Sequence, residues 1–197
     1  MSDRTQVRPL QIEPREVPVS RVMYHQLEAA GHYARRRVEL FRGKVIEMPA
    51  IGTDHGRSSL KSAKQLRRLF PEDRFTVRPG LPFIAVDDSE PEPDLCVVPV
   101  TAEASTEHPS TCLLLIEVSE ATLAFDRDGK LKLYAESGVA DYWIVNLIDR
   151  QIEVYRHPHQ IADGTWSYDA PVIRKPGETV DLLALPGATL AVDDLLP

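Results

Sequence analysis

Apolar residues recur along this chain in short blocks separated by polar turns, and the blocks fall into two kinds. DLCVV (94–98) and LLLIEV (113–118) are apolar at nearly every position, the pattern of central strands covered on both faces. VELF and KVIEM flank Arg42-Gly43 and predict a hairpin, as do DYWIVNL and QIEVYRH across Ile148-Asp149-Arg150. RFTVRPGLPFIAV predicts a strand broken near Pro79-Gly80. Three other segments carry helical spacing. Ser20 N-caps a short helix that runs through about Ala30 and ends at Gly31. A second helix covers about Arg57 to Phe70 and stops at Pro71, and a third covers about Asp126 to Ser137 and ends at Gly138. Between the strands lie an acidic loop, DDSEPEP, and a polar connection, TAEASTEHPST. Strands mixed with helices in this order predict an α/β fold with a mixed central β-sheet, flanked by helices and extended by extra β-hairpins.

Composition narrows the class without adding chemistry. The 197 residues, 43% hydrophobic and 27% charged, suffice for one domain with a real core and exclude a mostly disordered chain. We expect a flexible lead-in over residues 1–18 and a single domain over 19–197. No apolar run approaches the roughly 20 residues of a membrane span, and MSDRTQVRPLQIEPREVPVS lacks the apolar core of a signal peptide. Cys96 and Cys112 both sit in strand-like apolar contexts, without a CxxC or His partner, and read as reduced core thiols. The expected location is therefore cytoplasmic. A net charge of −7 gives no overall sign of nucleic-acid binding, so such binding would need a local basic patch.

One residue breaks the pattern. Glu117 stands inside an apolar strand, where an unpaired carboxylate costs several kcal/mol. Side-chain alternation puts Leu113, Leu115, Glu117 and Ser119 on one face. Asp94 opens the DLCVV strand just after Pro93, so neighbouring strands would bring the two carboxylates together at one end of the sheet. At about 4 Å two such charges repel by about 4 kcal/mol at an effective dielectric of 20, and a hard divalent cation, Mg²⁺ or Mn²⁺, removes that repulsion. Spacing alone favours the plainer reading in which each acid pairs with an arginine or caps a turn. On the third helix Leu131, Tyr134 and Ala135 form the apolar stripe. Lys130 borders it and Lys132 points away, so Lys130 is either the lysine placed to lean toward Glu117, with Asp126 one turn earlier as a partner, or an edge residue of an amphipathic helix.

PEPDLCVVP, LLLIEVS, the series Asp126, Lys130, Tyr134, Gly138, and DYWIVN occur in an order that resembles the Uma-type restriction endonuclease family of the PD-(D/E)xK nuclease superfamily. The resemblance extends from about VELFRGKVIEMP to QIEVYRHP. It implies a restriction-endonuclease-like core in which Asp94 and Glu117 bind Mg²⁺ (or Mn²⁺), with the Val118 carbonyl as a backbone ligand. The superfamily's lysine usually stands two residues after the glutamate, where this chain has Ser119; the resemblance instead assigns the catalytic lysine to Lys130. Glu39 matches the family's hairpin glutamate and becomes an additional acid or a structural residue, and His55 shapes the site or positions the second helix.

A nucleic-acid partner rests on charge pattern. Arg57, Lys61, Lys64 and Arg68 fall within about 60° on a helical wheel, with Leu60, Ala63, Leu66 and Phe70 roughly opposite. The stripe grips phosphates or is simply solvated surface; Arg35-Arg36-Arg37 adds a second basic cluster, while Asp87, Asp88, Glu90 and Glu92 make an acidic approach to Asp94. The expected function is a Mg²⁺-dependent endonuclease hydrolysing phosphodiester bonds of DNA, with a homodimer favoured if it cuts both strands. The alternative is a non-catalytic binding or assembly module that retains the nuclease scaffold.

Overall fold

The computed structural model describes residues 15–197, so most of the predicted lead-in lies outside the described residues. The chain runs through α1 (Arg21–Ala29), the hairpin β1 (Val38–Phe41) and β2 (Lys44–Glu47), α2 (Thr53–Leu69), β3 (Phe75–Pro79), β4 (Leu95–Pro99), α3 (Val100–Glu103) and β5 (Leu114–Ser119). One continuous helical segment follows: α4 (Leu123–Phe125), a π-helical turn (Asp126–Lys130) and α5 (Leu131–Glu136). Then come β6 (Asp141–Asn146), β7 (Gln151–Arg156), the short strands β8 (His159–Gln160), β9 (Trp166–Ser167), β10 (Val172–Arg174), β11 (Thr179–Asp181) and β12 (Thr189–Ala191), and a final 3₁₀ turn.

Six strands form the central sheet in the order β10-β7-β6-β5-β4-β3. β5 and β6 are parallel, which requires the crossover that α4 and α5 supply; the other pairs are antiparallel. β5 and β6 are buried along their whole length and β4 at all but its last residue, as their two-faced apolar pattern predicts. Ile116, Val118, Trp143 and Val145 pack on α2 and the C-terminal residues Leu195 and Leu196, whereas Leu115, Tyr142 and Ile144 pack under Leu131, Tyr134 and Ala135 of α5. Cys96 is buried, Cys112 is partly buried, and both are free thiols.

The β1–β2 hairpin turns through Arg42 (φ 50°) and Gly43 (φ 68°), the left-handed pair that suits strand twist. The acidic loop packs against this hairpin. Ser89 and Glu90 are buried; the Gly43 N–H donates to Asp88 O, the Arg42 N–H to Ser89 Oγ, and the Glu90 N–H to Leu40 O, which staples the hairpin to the domain. His25 reaches the Glu90 carboxylate at 3.1 Å from α1, whose N-cap Ser20 accepts from the Met23 N–H as predicted.

Two helices differ from expectation. α2 begins at Thr53 rather than Arg57, with no side-chain cap on Gly52. Its buried face is Ser58, Ser62, Ala63 and Leu66, and Leu60 is 74% exposed. Ser58 turns inward because the core offers its Oγ an acceptor, the Leu195 carbonyl at 2.6 Å, whereas Ser62 Oγ is buried without a partner among the described residues; a wheel phased on apolar residues alone misses both. The third helix begins at Leu123, three residues early, and is widened by one π turn over Asp126–Lys130. The polar connection after β4 also contains the short α3.

Candidate active site

β4 and β5 pair with Leu95 opposite Ile116, which places Asp94 beside Glu117 at the end of the sheet. Asp94 Oδ2 accepts from the Val118 N–H at 2.7 Å, and the Asp94 N–H approaches Glu117 Oε2 at 3.4 Å. His55, in the first turn of α2, lies 2.7 Å from Asp94 Oδ1. Glu117 Oε1 is held from the other side by Lys130 Nζ at 3.0 Å and the Tyr134 hydroxyl at 2.6 Å. Lys130 also reaches both Glu39 oxygens, at 3.3 and 3.2 Å, from the stapled hairpin. The acids, His55 and Lys130 line one pocket together with Arg37, Gly52, Glu92, Glu120, Thr122 and Asp126.

The π turn brings Lys130 here. Gly129 within it has room only for hydrogen, since a Cβ would stand 2.7 Å from the Phe125 ring and 3.2 Å from Phe41. Lys130 is 1% exposed, whereas Lys132 is half-exposed and pairs with Asp128 at 2.5 Å. Asp126 is not the partner of Lys130; its Oδ2 takes the Ser119 and Thr122 hydroxyls, each at 2.6 Å, and its Oδ1 is buried without a partner. Ser119 therefore serves Asp126 at the position where the superfamily carries lysine. Glu39 Oε2, off the donor directions of Lys130, is the second unpartnered buried oxygen in the cluster.

Burial pushes the Glu117 carboxyl up to about 8; Lys130 opposes the rise, while Asp126, Asp94 and Glu39 add to it. Burial alone works against the Lys130 ammonium, but Glu117, Glu39 and Asp126 outweigh it and hold its pKa above the ordinary lysine value. Burial also raises the Tyr134 hydroxyl, which stays a donor. The site thus gathers more negative charge than its one buried ammonium offsets. Its carboxylates suit a hard divalent cation, although among the described residues no three acidic, His or Cys side chains already converge as a ready-made ligand set.

The predicted Asp94, Glu117, Val118, Lys130, Glu39 and His55 come together. Tyr134, read from sequence only as core, is the missed member; its place one helical turn after Lys130 was the available signal. The basic stripe does not join the pocket as a unit. Only the start of α2 opens on it, Lys61 Nζ donates to the Leu196 carbonyl at 2.6 Å, Arg57 pairs with Asp54, and Arg68 donates to Gln65. Among the described residues, Lys64 is the one of the four that is an exposed cation without such a bond.

Comparison with known proteins gives this mixed-sheet arrangement its class, a nuclease-like fold. Residues 22–193 match the Uma2 family, described as "Putative restriction endonuclease". The chain belongs to that family. A crystal structure of "a putative nuclease belonging to DUF820" from Anabaena variabilis ATCC 29413 superposes with a TM-score of 0.68 over 90% of this chain and 97% of its own, at 16% identity, which establishes the shared fold. No curated protein matches the chain. Among the described residues no helix is long and apolar enough to cross a membrane.

Proposed function

We propose that this protein is a divalent-metal-dependent endonuclease that hydrolyses DNA phosphodiester bonds in the Glu117 pocket. The observation that carries the reading is the Glu117 carboxylate itself: buried beside Asp94, bonded through Oε1 to Lys130 and Tyr134, with Oε2 left to the Asp94 side. Mg²⁺ or Mn²⁺, held by Asp94 and Glu117 with the Val118 carbonyl, would supply Lewis-acid chemistry, making a water more acidic and offsetting charge on the phosphoryl group. The remaining work falls to the chain. His55 and the Val118 N–H fix the rotation of the Asp94 carboxylate. Tyr134 and Lys130 fix that of Glu117, and Glu39 anchors Lys130 from the hairpin. Lys130 keeps its proton, so it acts as a donor that orients the attacking water or steadies a phosphoryl oxygen, and not as a general base.

One observation favours a non-catalytic module instead: Asp94 Oδ2 and Glu117 Oε1 are already taken by donors of the chain itself, the Val118 N–H, Lys130 and Tyr134. Mn²⁺ titration by calorimetry with plasmid cleavage followed in parallel separates the readings. Stoichiometric uptake that Asp94→Asn and Glu117→Gln abolish, together with metal-dependent nicking, is the expected result. A folded protein indifferent to Mn²⁺ would leave the scaffold reading.

A further inference from the structure

The pocket poses a problem that the metal reading does not solve. A phosphodiester is an anion, yet six carboxylates line the cavity: Glu39, Glu92, Asp94, Glu117, Glu120 and Asp126. Three basic side chains stand against them. Lys130 is engaged by Glu117 and Glu39, and His55 by Asp94. The third, Arg37, makes no ion pair among the described residues.

Arg37 is held in place all the same. Its carbonyl accepts the Met48 N–H at 2.8 Å, and its guanidinium donates through Nη1 to the Pro49 carbonyl at 3.0 Å. Both bonds tie it across the base of the β1–β2 hairpin, two residues before Glu39. One donor of the five is spent on Pro49; the planar fork otherwise keeps the geometry that matches two phosphate oxygens. Glu92 lies close enough for each to feel the other's charge but forms no ion pair with Arg37.

Resting on the nuclease reading, we propose that Arg37 is the phosphate clamp of this pocket, binding non-bridging oxygens of the substrate backbone at the rim while the Glu117 cluster acts on the scissile bond. The hairpin then has two duties. Glu39 holds the lysine from inside, and Arg37, on the same strand approach, holds the substrate.

The test uses a short fluorescent DNA duplex, with binding read by anisotropy across a salt series and Mn²⁺ uptake read separately by calorimetry. Arg37→Ala is expected to weaken duplex binding roughly tenfold at low salt and to reduce the log–log salt slope by about 0.9, one phosphate contact, with Mn²⁺ affinity unchanged. Arg37→Lys should restore the slope, because the charge returns, but not the full affinity, because the fork does not. To separate clamping from mere relief of Glu92, the same substitution is made in Glu92→Gln protein, where the loss of slope must persist. A slope unchanged in Arg37→Ala, or a loss that vanishes in the Glu92→Gln background, overturns the clamp while leaving the metal site standing. Wild-type protein that binds neither duplex nor Mn²⁺ overturns both readings.

Discussion

Glu117 and Glu153 occupy one row of the sheet. Glu117 is opposite Ile144 on β6, and Ile144 is opposite Glu153 on β7, so the two carboxylates rise from the same face with one isoleucine between them. Both are buried. Their surroundings set them apart. Glu153 receives Arg127 through two bonds at 2.9 and 2.5 Å, Asn146 at 2.7 Å, Tyr155 at 2.9 Å and Gln151 at 3.2 Å. Burial would raise its pKa, but those donors outweigh burial and bring it down to about 2. Glu117 has two firm donors and three acidic neighbours, and it is raised instead. A saturated carboxylate is architecture; one left short of donors has capacity for something else. The same row of one sheet holds both.

The comparison can be broken in several places. The largest expected effect is on activity: Lys130→Ala should slow metal-dependent cleavage by roughly a hundredfold or more, while Mn²⁺ affinity stays because both carboxylates remain. Single-turnover rates on plasmid, with a melting curve to confirm folding, measure this, and Lys132→Ala on the same helix should match wild type. Equal losses from the two lysines would end the assignment. Next, Glu153→Ala should cost roughly 2–3 kcal/mol of stability, since it strands buried donors of Asn146 and Tyr155, yet leave Mn²⁺ binding alone. A Glu153 variant that lost metal would erase the distinction between the two sites.

Smaller, and opposite in sign, Glu117→Gln should stabilise the metal-free protein at pH 8 by about 1 kcal/mol while abolishing Mn²⁺ uptake. The sign follows from the raised carboxyl. Its folded form holds the proton more tightly than the unfolded chain, so the stability it contributes is complete below about pH 4.5 and is lost as pH climbs toward 8. The advantage of Glu117→Gln should therefore appear in melts at pH 8 and vanish near pH 5. Glu153 runs the other way: its contribution is present above about pH 4.5 and disappears as pH falls toward 2. A Glu117→Gln protein less stable than wild type at pH 8 would make Glu117 a structural residue like its neighbour.

Much of the Glu117 site was legible in the sequence, although Glu153 was not singled out there. The central strands, the Arg42-Gly43 hairpin and the meeting of Asp94 with Glu117 follow from two-faced apolar runs and side-chain alternation, both local properties. Lys130 was separable from Lys132 by helical phase, even though the ideal phase ignored the π turn. What escaped was decided by partners distant in sequence. Ser58 turned inward for the Leu195 carbonyl and left Leu60 outside, and Lys61 left the basic stripe for Leu196. The burial of Glu90 within the acidic loop was not readable locally, because its partners, Leu40 and His25, lie far back in the chain. Tyr134 was read as core, which it is; only the position of Glu117 Oε1 shows what its hydroxyl does.

The π turn over Asp126–Lys130 stores one residue of excess length in an otherwise regular helix. Such a register can be edited by a single codon. Deleting one residue there would let the turn relax to ordinary α-geometry, with everything upstream rotated by about 100° relative to α5. The Asp126 carboxylate would swing away from Ser119 on β5, while Lys130 and Tyr134 kept their place against the sheet. The length of this segment among relatives thus becomes a character to score, alongside the identity of the residue that stands at Lys130.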